Sequence, residues 1–474
     1  MSNINESYDQ PQIEAIIRDK YPLLEQSLLE LLAIPSVQGT ATDGAPFGAD
    51  VKEAIDYCLN LADKFGFTTT DGEGYIGFAD WPGNNDGQIG ILSHLDVVPA
   101  EDKDWQYRPF TPQIVDGRIY GRGAIDDKGP LLACLFACAV LKEAGFRPSK
   151  TIRQIFGGNE ESGFGDIEYF KKHFQEPDCG FSPDASFPVI IGEKGIIHWE
   201  LSQKWQMQDQ GDLLLVSIEA GTAANIVPAS AQAVFKATLD GKKQIKDLLR
   251  QYPEKARIRI SERDQQLIID VKGRATHAST PEEGLNALSI ILRLLSFINF
   301  APQGAKTYIN IITQLIGNDD YGCGMWMGAA DELSFLTAVP VLLKVNQTSG
   351  TVAIDLRFPV THTLDYYQKL THAVAQKFDL TISTFEGKEP LLVKADSTPT
   401  RELLDVYHAH TGKEKTPLVI GGGTYARAFK NFVAFGPYLP NEKGMAHMAD
   451  EYITQEKLLD LTRIYARAIY ALAK

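Results

Sequence analysis

The chain has 474 residues, 44% of them hydrophobic and 23% charged, which is the composition of a folded globular protein with room for roughly two or three domains. Its 46 Lys and Arg against 61 Asp and Glu leave a formal net charge of -15, so a surface built for nonspecific phosphate attraction, as in a nucleic-acid binder, is excluded. The longest apolar run, Leu131 to Leu141, is 11 residues, well short of the roughly 20 that a membrane-spanning helix needs.

The N-terminus, MSNINESYDQPQ, has neither a basic start nor an apolar stretch, so a cytoplasmic location is expected, with no membrane partner. Apolar residues at mixed three and four spacing (Ile13, Ile16, Ile17, Tyr21, Leu24, Leu28, Leu31, Leu32) predict a helix over Gln12–Leu32, and a second is predicted over Val51–Phe65. From Gln88 to Val98 a compact apolar run bounded by Gly and Pro signals suits a buried strand, and further strands are predicted over Arg118–Tyr120 and Thr151–Phe156. Between these two, Gly129 to Gly145 has the unbroken apolarity, length and closing glycine of a buried helix. Alternating strands and helices predict an α/β layered domain. After Asp184 the texture changes to strand-like segments over 195–203, 213–220, 231–240 and 257–273, followed by helices around Ala287 to Phe300, as in an α+β insert. A helix over Pro399–Ala409, a strand around Thr416–Ile420 and a helix over Gln455–Leu472 return to the first texture. The expected organisation is a discontinuous domain, residues 1–191 and 390–474, with a second domain inserted over 192–389. The cysteines Cys58, Cys134, Cys138, Cys179 and Cys323 are odd in number and lack paired metal-ligand spacing, so buried thiols are expected.

Only nine histidines occur, and His94 ends the predicted central strand in the order His94-Leu95-Asp96. Strand alternation points His94 and Asp96 the same way, and a carboxylate beside an imidazole suits a metal ligand, although a structural histidine is an equal reading of that triplet alone. Asp126 and Asp127 stand in the loop before the buried helix, where acids also complement a helix dipole. Glu160 and Glu161 follow an apolar strand among glycines, where ligands of open α/β sheets gather. Asp184 in Ser-Pro-Asp-Ala and His447 in Gly-Met-Ala-His-Met complete the set. Two His and several carboxylates match a borderline divalent ion, and zinc suits this mixture of nitrogen and oxygen. A carboxylate shared between two ions, with one His and one further acid on each, makes a two-metal site and leaves an acid over for proton transfer.

Seven stretches, SHLDVVP, GRGAIDDKGP, GGNEESG, SPDASFP, KGRATHASTPEEGLNA, GGGTYARAF and GMAHMADEYI, resemble in order those of the co-catalytic zinc peptidases and deacylases, a family that includes aminoacylases, carnosinases, desuccinylases and the PepV-type bacterial dipeptidases. The resemblance is strongest to the last group. It implies two zinc ions, with cobalt or manganese as possible substitutes: one held by His94 and Asp184, the other by Glu161 and His447, with Asp126 bridging and a cis peptide between Asp126 and Asp127. It further implies that Asp96 orients His94 and that Glu160 is the general base. The insert becomes a lid whose His277 stabilises the oxyanion and whose Asn225 and Arg357 grip the substrate, Arg357 with a two-pronged bond to a carboxylate. Gly423, Thr424 and Arg427 either cradle the substrate carboxylate or form a tight strand-to-helix turn. The implied activity is hydrolysis of unmodified dipeptides by a monomer, with N-acyl amino acid deacylation and a noncatalytic metal or peptide binder as alternatives. Ser93 and Met448 depart from the usual pattern without removing a ligand, and the Gly192-Glu193-Lys194-Gly195 segment reads as a hairpin turn in preference to a hinge.

Overall fold

The structure, a computed structural model, describes residues 8–316, 322, 324 and 327–474; Cys323 and most of the N-terminal segment read above lie outside the described residues. Two compact units share the chain. One comprises the stretch ending at Gly192 with Val393–Leu418 and Gly423–Lys474, the other Glu193–Leu392 with Val419–Gly422.

The first unit is α/β. Its sheet runs in the order Thr68–Gly72, Ile76–Trp81, Thr151–Gly157, Gln88–His94, Cys179–Ser182, Phe432–Ala434, Ile190–Glu193. The four strands from Thr151–Gly157 to Phe432–Ala434 are mutually parallel, and antiparallel strands flank them. The strand at Gln88 stops at His94, short of the predicted Val98, because the backbone then leaves the ladder: Leu95 N–H goes to Gly157 O at 2.9 Å and Val97 N–H to Ser36 O at 3.0 Å. The first helix begins at Gln10, two residues before the apolar pattern, since the Asp9 carboxylate accepts Gln12 N–H at 3.1 Å and Pro11 sits in the first turn.

The predicted buried helix is Lys128–Glu143, with every residue from Lys128 to Leu141 buried. It packs against the helices Gln10–Leu32 and Gln455–Ala473, and each fully buried Leu or Phe in it contributes about 1.5–3 kcal/mol. Gly145, at φ +87°, closes it: Gly145 N–H bonds Lys142 O and Phe146 N–H bonds Leu141 O, the paired bonds that a left-handed residue after a helix makes possible. Cys58, Cys134, Cys138 and Cys179 are buried free thiols.

The second unit is α+β, an eight-stranded antiparallel sheet in the order Ile258–Arg263, Gln266–Lys272, Ser230–Ala237, Leu213–Ala220, Thr337–Val345, Ser349–Phe358, Gly195–Lys204, Thr381–Lys388. The segment predicted as strands over 257–273 is a hairpin turned by Asp264 and Gln265, both at positive φ, as a two-residue turn between twisted strands demands. The predicted helical region from Ala287 to Phe300 ends at Ser296, and a further helix, Gln303–Ile316, follows Pro302. Both helices bury apolar residues in one core with Trp199, Phe235, Ile269 and Leu356. Gly192-Glu193-Lys194-Gly195 is not a hairpin turn: Ile190–Glu193 and Gly195–Lys204 are strands of different sheets, and the chain stays extended as it passes from the first unit into the second.

Candidate metal centre

Strand ends place the donors. His94 is the last residue of its strand and pairs with Gly157, Glu160 and Glu161 follow the neighbouring strand, and Asp184 follows Cys179–Ser182, so all four lie at or just beyond the carboxyl ends of parallel strands. Asp126 comes from the loop before the buried helix, and His447, at φ +62°, from the segment after Phe432–Ala434.

These side chains converge within the first unit. Asp126 divides its two oxygens between two imidazoles, Oδ1 lying 3.1 Å from His94 Nε2 and Oδ2 3.2 Å from His447 Nε2. Glu161 Oε1 is 3.0 Å from His447 Nε2 and Asp184 Oδ2 is 3.8 Å from His94 Nε2. Donor atoms of His94, Asp126 and Glu161 lie within 4.8 Å of one another, as do those of His94, Glu160 and Asp184. Two ligand atoms on a tetrahedral zinc with bonds of about 2.0–2.2 Å are about 3.3–3.6 Å apart, so this donor set fits the ion. The peptide between Asp126 and Asp127 is cis, as expected.

The charges point the same way. Hydrogen bonds that its ring donates to the Asp126 and Glu161 carboxylates push half-exposed His447 up to about 10. Burial opposes the charge on His94, yet Asp126 and Asp96 hold it well above its ordinary value. Burial, with Asp126 beside it, pushes Asp184 up to about 7. Burial, aided by Asp184 and Glu161, drives Glu160 well above the usual carboxylate range. Acids thus outnumber the two imidazoles in a buried volume, an imbalance that divalent cations match.

Asp96 meets His94 chiefly through its backbone. The hydrogen bond from His94 Nδ1 goes to the Asp96 backbone oxygen at 2.9 Å, while the nearest carboxylate oxygen is 3.6 Å away. That carboxylate instead accepts Glu160 N–H on Oδ1 and Glu161 N–H on Oδ2, each at 3.0 Å. In the neutral ring the carbonyl contact puts the hydrogen on Nδ1, which would leave the Nε2 lone pair for a metal.

Two further carboxylates escaped sequence reasoning. Asp166 accepts Gly158 N–H at 2.8 Å, Asn159 N–H at 3.1 Å and the Tyr425 hydroxyl, bracing the turn that carries Glu160 and Glu161. A Cβ on Gly157 would lie 1.9 Å from the Tyr425 oxygen, so only glycine fits there. Glu451 accepts backbone N–H groups from the Asp126 loop. An acid in the first turn of a helix, as Asp166 is in Gly165–His173, or in a surface-like run carries no local mark of this; Glu451 lies inside the GMAHMADEYI stretch, which is the one signal that singled out its neighbourhood. Of the two departures, Ser93 is buried in the sheet and Met448 is exposed.

Within the second unit, Asn225 and His277 are brought side by side by the bridge Ile226↔His277 and by Ala278 N–H bonding Asn225 O at 2.8 Å. His277 Nδ1 accepts Ser279 N–H at 3.1 Å, which puts the hydrogen of the neutral ring on Nε2, the tautomer of a donor at that nitrogen. Arg357 already spends a fork on buried Asp355, Nε to Oδ1 at 2.6 Å and Nη2 to Oδ2 at 2.7 Å, and Nη1 bonds Gly421 O at 3.1 Å. Its Nε and Nη2 edge is therefore engaged, and the hydrogens remaining for another carboxylate are one on each terminal nitrogen. In the first unit, Thr424 caps the short turn Tyr425–Ala428 by accepting Ala426 N–H at 3.2 Å, and a Cβ on Gly423 would meet the Arg427 guanidinium at 3.2 Å.

YtjP of Bacillus subtilis (strain 168) is 37% identical over 466 residues, 97% of this chain and 99% of its own length. The Beta-Ala-Xaa dipeptidase of Lactobacillus delbrueckii subsp. lactis is 34% identical over 476 residues, 97% of this chain and 96% of its own. Among solved structures, human carnosine dipeptidase 1 shares the fold at TM-score 0.58 and 16% identity, with 98% of both chains covered. With residues 90–471 matching the model of Peptidase family M20/M25/M40 and these relatives running nearly end to end, the chain belongs to that peptidase family and is a hydrolase.

Proposed function

We propose that this protein is a dipeptidase that uses two zinc ions to split unmodified dipeptides into free amino acids. The observation that carries the reading is the division of Asp126 between two imidazoles, the arrangement a carboxylate takes when it bridges two ions. His94 and Asp184 would hold one ion, Glu161 and His447 the other, with cobalt or manganese able to replace zinc in such donors. Bound there, the ions supply a water of lowered pKa and polarise the scissile carbonyl.

Glu160 then receives the proton of the attacking water on its carboxylate and passes it to the leaving amine. A carboxyl held well above its ordinary range by burial is suited to both halves of that transfer. His277 is assigned to the oxyanion, Asn225 and Arg357 to the substrate, and Gly423, Thr424 and Arg427 to its carboxylate end. In this reading residues 1–191 and 390–474 form the catalytic domain and 192–389 the lid of a cytoplasmic monomer. No helix among the described residues is long and apolar enough to cross a membrane. The dipeptidase names of relatives support the substrate class.

The test is hydrolysis of Leu-Leu, N-acetyl-leucine, N-acetyl-Leu-Leu and Leu-Leu-Leu by metal-quantified protein, before and after chelation and zinc restoration. Chelator-sensitive cleavage confined to Leu-Leu is expected; cleavage of N-acetyl-leucine alone would make the protein a deacylase, and no turnover at two bound ions would make it a binder. Glu160→Ala should keep both ions and lose turnover, whereas equal metal loss in Glu160→Ala and His447→Ala would overturn the division between base and ligand.

A further inference from the structure

We propose that Glu451, paired with Arg122, is a positioning residue that sets the affinity of the ion position formed by Asp126, Glu161 and His447. The proposal rests on the two-ion reading above. Glu451 is fully buried, and each of its carboxylate oxygens accepts two hydrogen bonds. Oε2 takes Arg122 Nη1 at 2.6 Å and Gly123 N–H at 3.1 Å; Oε1 takes Ile125 N–H at 2.9 Å and Asp126 N–H at 3.2 Å. A carboxylate offers about four lone-pair sites, so all of its capacity is spent on the loop that ends in Asp126 and none is left for an ion.

The same residue fixes the other side. Its backbone oxygen accepts Gly121 N–H at 3.0 Å, and it leads into Tyr452–Thr454, which pairs with Arg118–Tyr120. His447 lies only four residues earlier, in a segment further pinned where Asp450 Oδ1 accepts Gln106 N–H at 2.8 Å and Tyr107 N–H at 3.0 Å. Asp126 and His447 are therefore both anchored at one residue, Asp126 through the Glu451 carboxylate and His447 through the chain that the Glu451 backbone ties to Gly121, although they are far apart in sequence. His94 and Asp184 lie beyond strand ends, with no hydrogen bond to Glu451 among those described. Buried Arg122 supplies the counter-charge and lies over the Trp105 ring, 5.0 Å from its centroid. Because Asp126 faces both imidazoles while His447 serves one position alone, a displaced Glu451 should disturb the position of His447 more than that of His94 and Asp184.

The experiment is a zinc titration by calorimetry of the chelator-stripped full chain, comparing the unmodified protein with Glu451→Gln and His447→Ala, each followed by thermal unfolding. A glutamine has one acceptor oxygen, which serves two of the four donors and turns an NH2 toward the others. Two binding steps are expected in the unmodified chain; Glu451→Gln should weaken the step that His447→Ala abolishes by about 10- to 100-fold, as loss of an outer hydrogen-bond partner does at metal sites, and weaken the other step by less. Should Glu451→Gln fail to fold, Glu451→Asp, which keeps the charge and withdraws it by one methylene, should show the same split. Unaltered affinities in a folded variant, or equal weakening of both steps, would overturn the proposal. A single step in the unmodified chain would overturn the two-ion reading and the proposal with it, a result visible before any variant is made.

Discussion

Asp96→Asn separates two roles for one carboxylate. If the side chain orients His94, the variant should weaken the ion held by His94 and Asp184. The geometry argues otherwise, because His94 Nδ1 bonds the Asp96 carbonyl oxygen, which asparagine retains, while the carboxylate at 3.6 Å is beyond a hydrogen bond. What asparagine loses is one of two acceptors: either Glu160 N–H or Glu161 N–H, each now bonded at 3.0 Å, must face an NH2. An unsatisfied buried donor costs about 1–3 kcal/mol. Relieved by movement of the turn, that energy corresponds to about 5- to 150-fold weaker holding of the ion that Glu161 ligates. Turnover should fall as well, since Glu160 shares the turn. Zinc titration of Asp96→Asn beside Asp184→Ala and His447→Ala identifies the affected step. Loss of the step that Asp184→Ala removes, with the other intact, would refute this reasoning.

Asp166 provides a pH test. Burial, opposed by its hydrogen bonds, pushes its carboxyl from the ordinary 3.8 up to about 6, so the folded chain holds this proton more tightly than the unfolded chain does. Its contribution is fully present below about pH 4 and is lost as pH rises through 6, about 3 kcal/mol at about 1.4 kcal/mol per pH unit. Asp166→Asn should therefore flatten the pH profile of thermal unfolding between pH 4 and 7 relative to the unmodified chain, and parallel profiles would contradict the assignment. Arg357→Lys cannot keep the fork to Asp355. If the guanidinium also grips substrate, kcat/KM should fall by about 10-fold or more, the worth of one charge-assisted hydrogen bond, with the change mainly in KM. A lowered thermal midpoint with unchanged KM would confine Arg357 to its ion pair.

The donors were legible because chemistry and position coincide in them: His94, Glu161 and Asp184 stand where apolar strands stop and Asp126 just before the apolar helix starts, and the structure brings them together with His447. The helices Leu239–Gln251 and Leu364–Lys377 were not legible. The first buries only Gly241 and Ile245, so its apolar stripe is too thin to show against a polar segment, and the second carries its pattern among Lys, Gln and His. The segment at Gly192 misled for a different reason, since paired glycines mark tight turns and extended crossings alike. Asp166 and Glu451 were not legible: Glu451 serves backbone N–H groups of a segment distant in sequence, Asp166 those of the turn just before its own helix together with the distant Tyr425 hydroxyl, and no spacing rule reports contacts that only the folded chain creates.

That illegible layer is nevertheless what makes the donors usable. Loops beyond strand ends have no ladder to satisfy their N–H groups, and buried donors need acceptors. Asp96, Asp166 and Glu451 supply them, holding respectively the Glu160–Glu161 amides, the Gly158–Asn159 amides and the Gly123–Asp126 loop. A carboxylate does this with more acceptor sites than any neutral side chain, and it adds negative charge near a place where cations are wanted. The same choice has a cost when no cation is present, since burial pushes Glu451 and Asp184 both up to about 7. The rigidity of the loops and the affinity for ions are thus two consequences of one arrangement, and substitution of any of these three acids should alter both together.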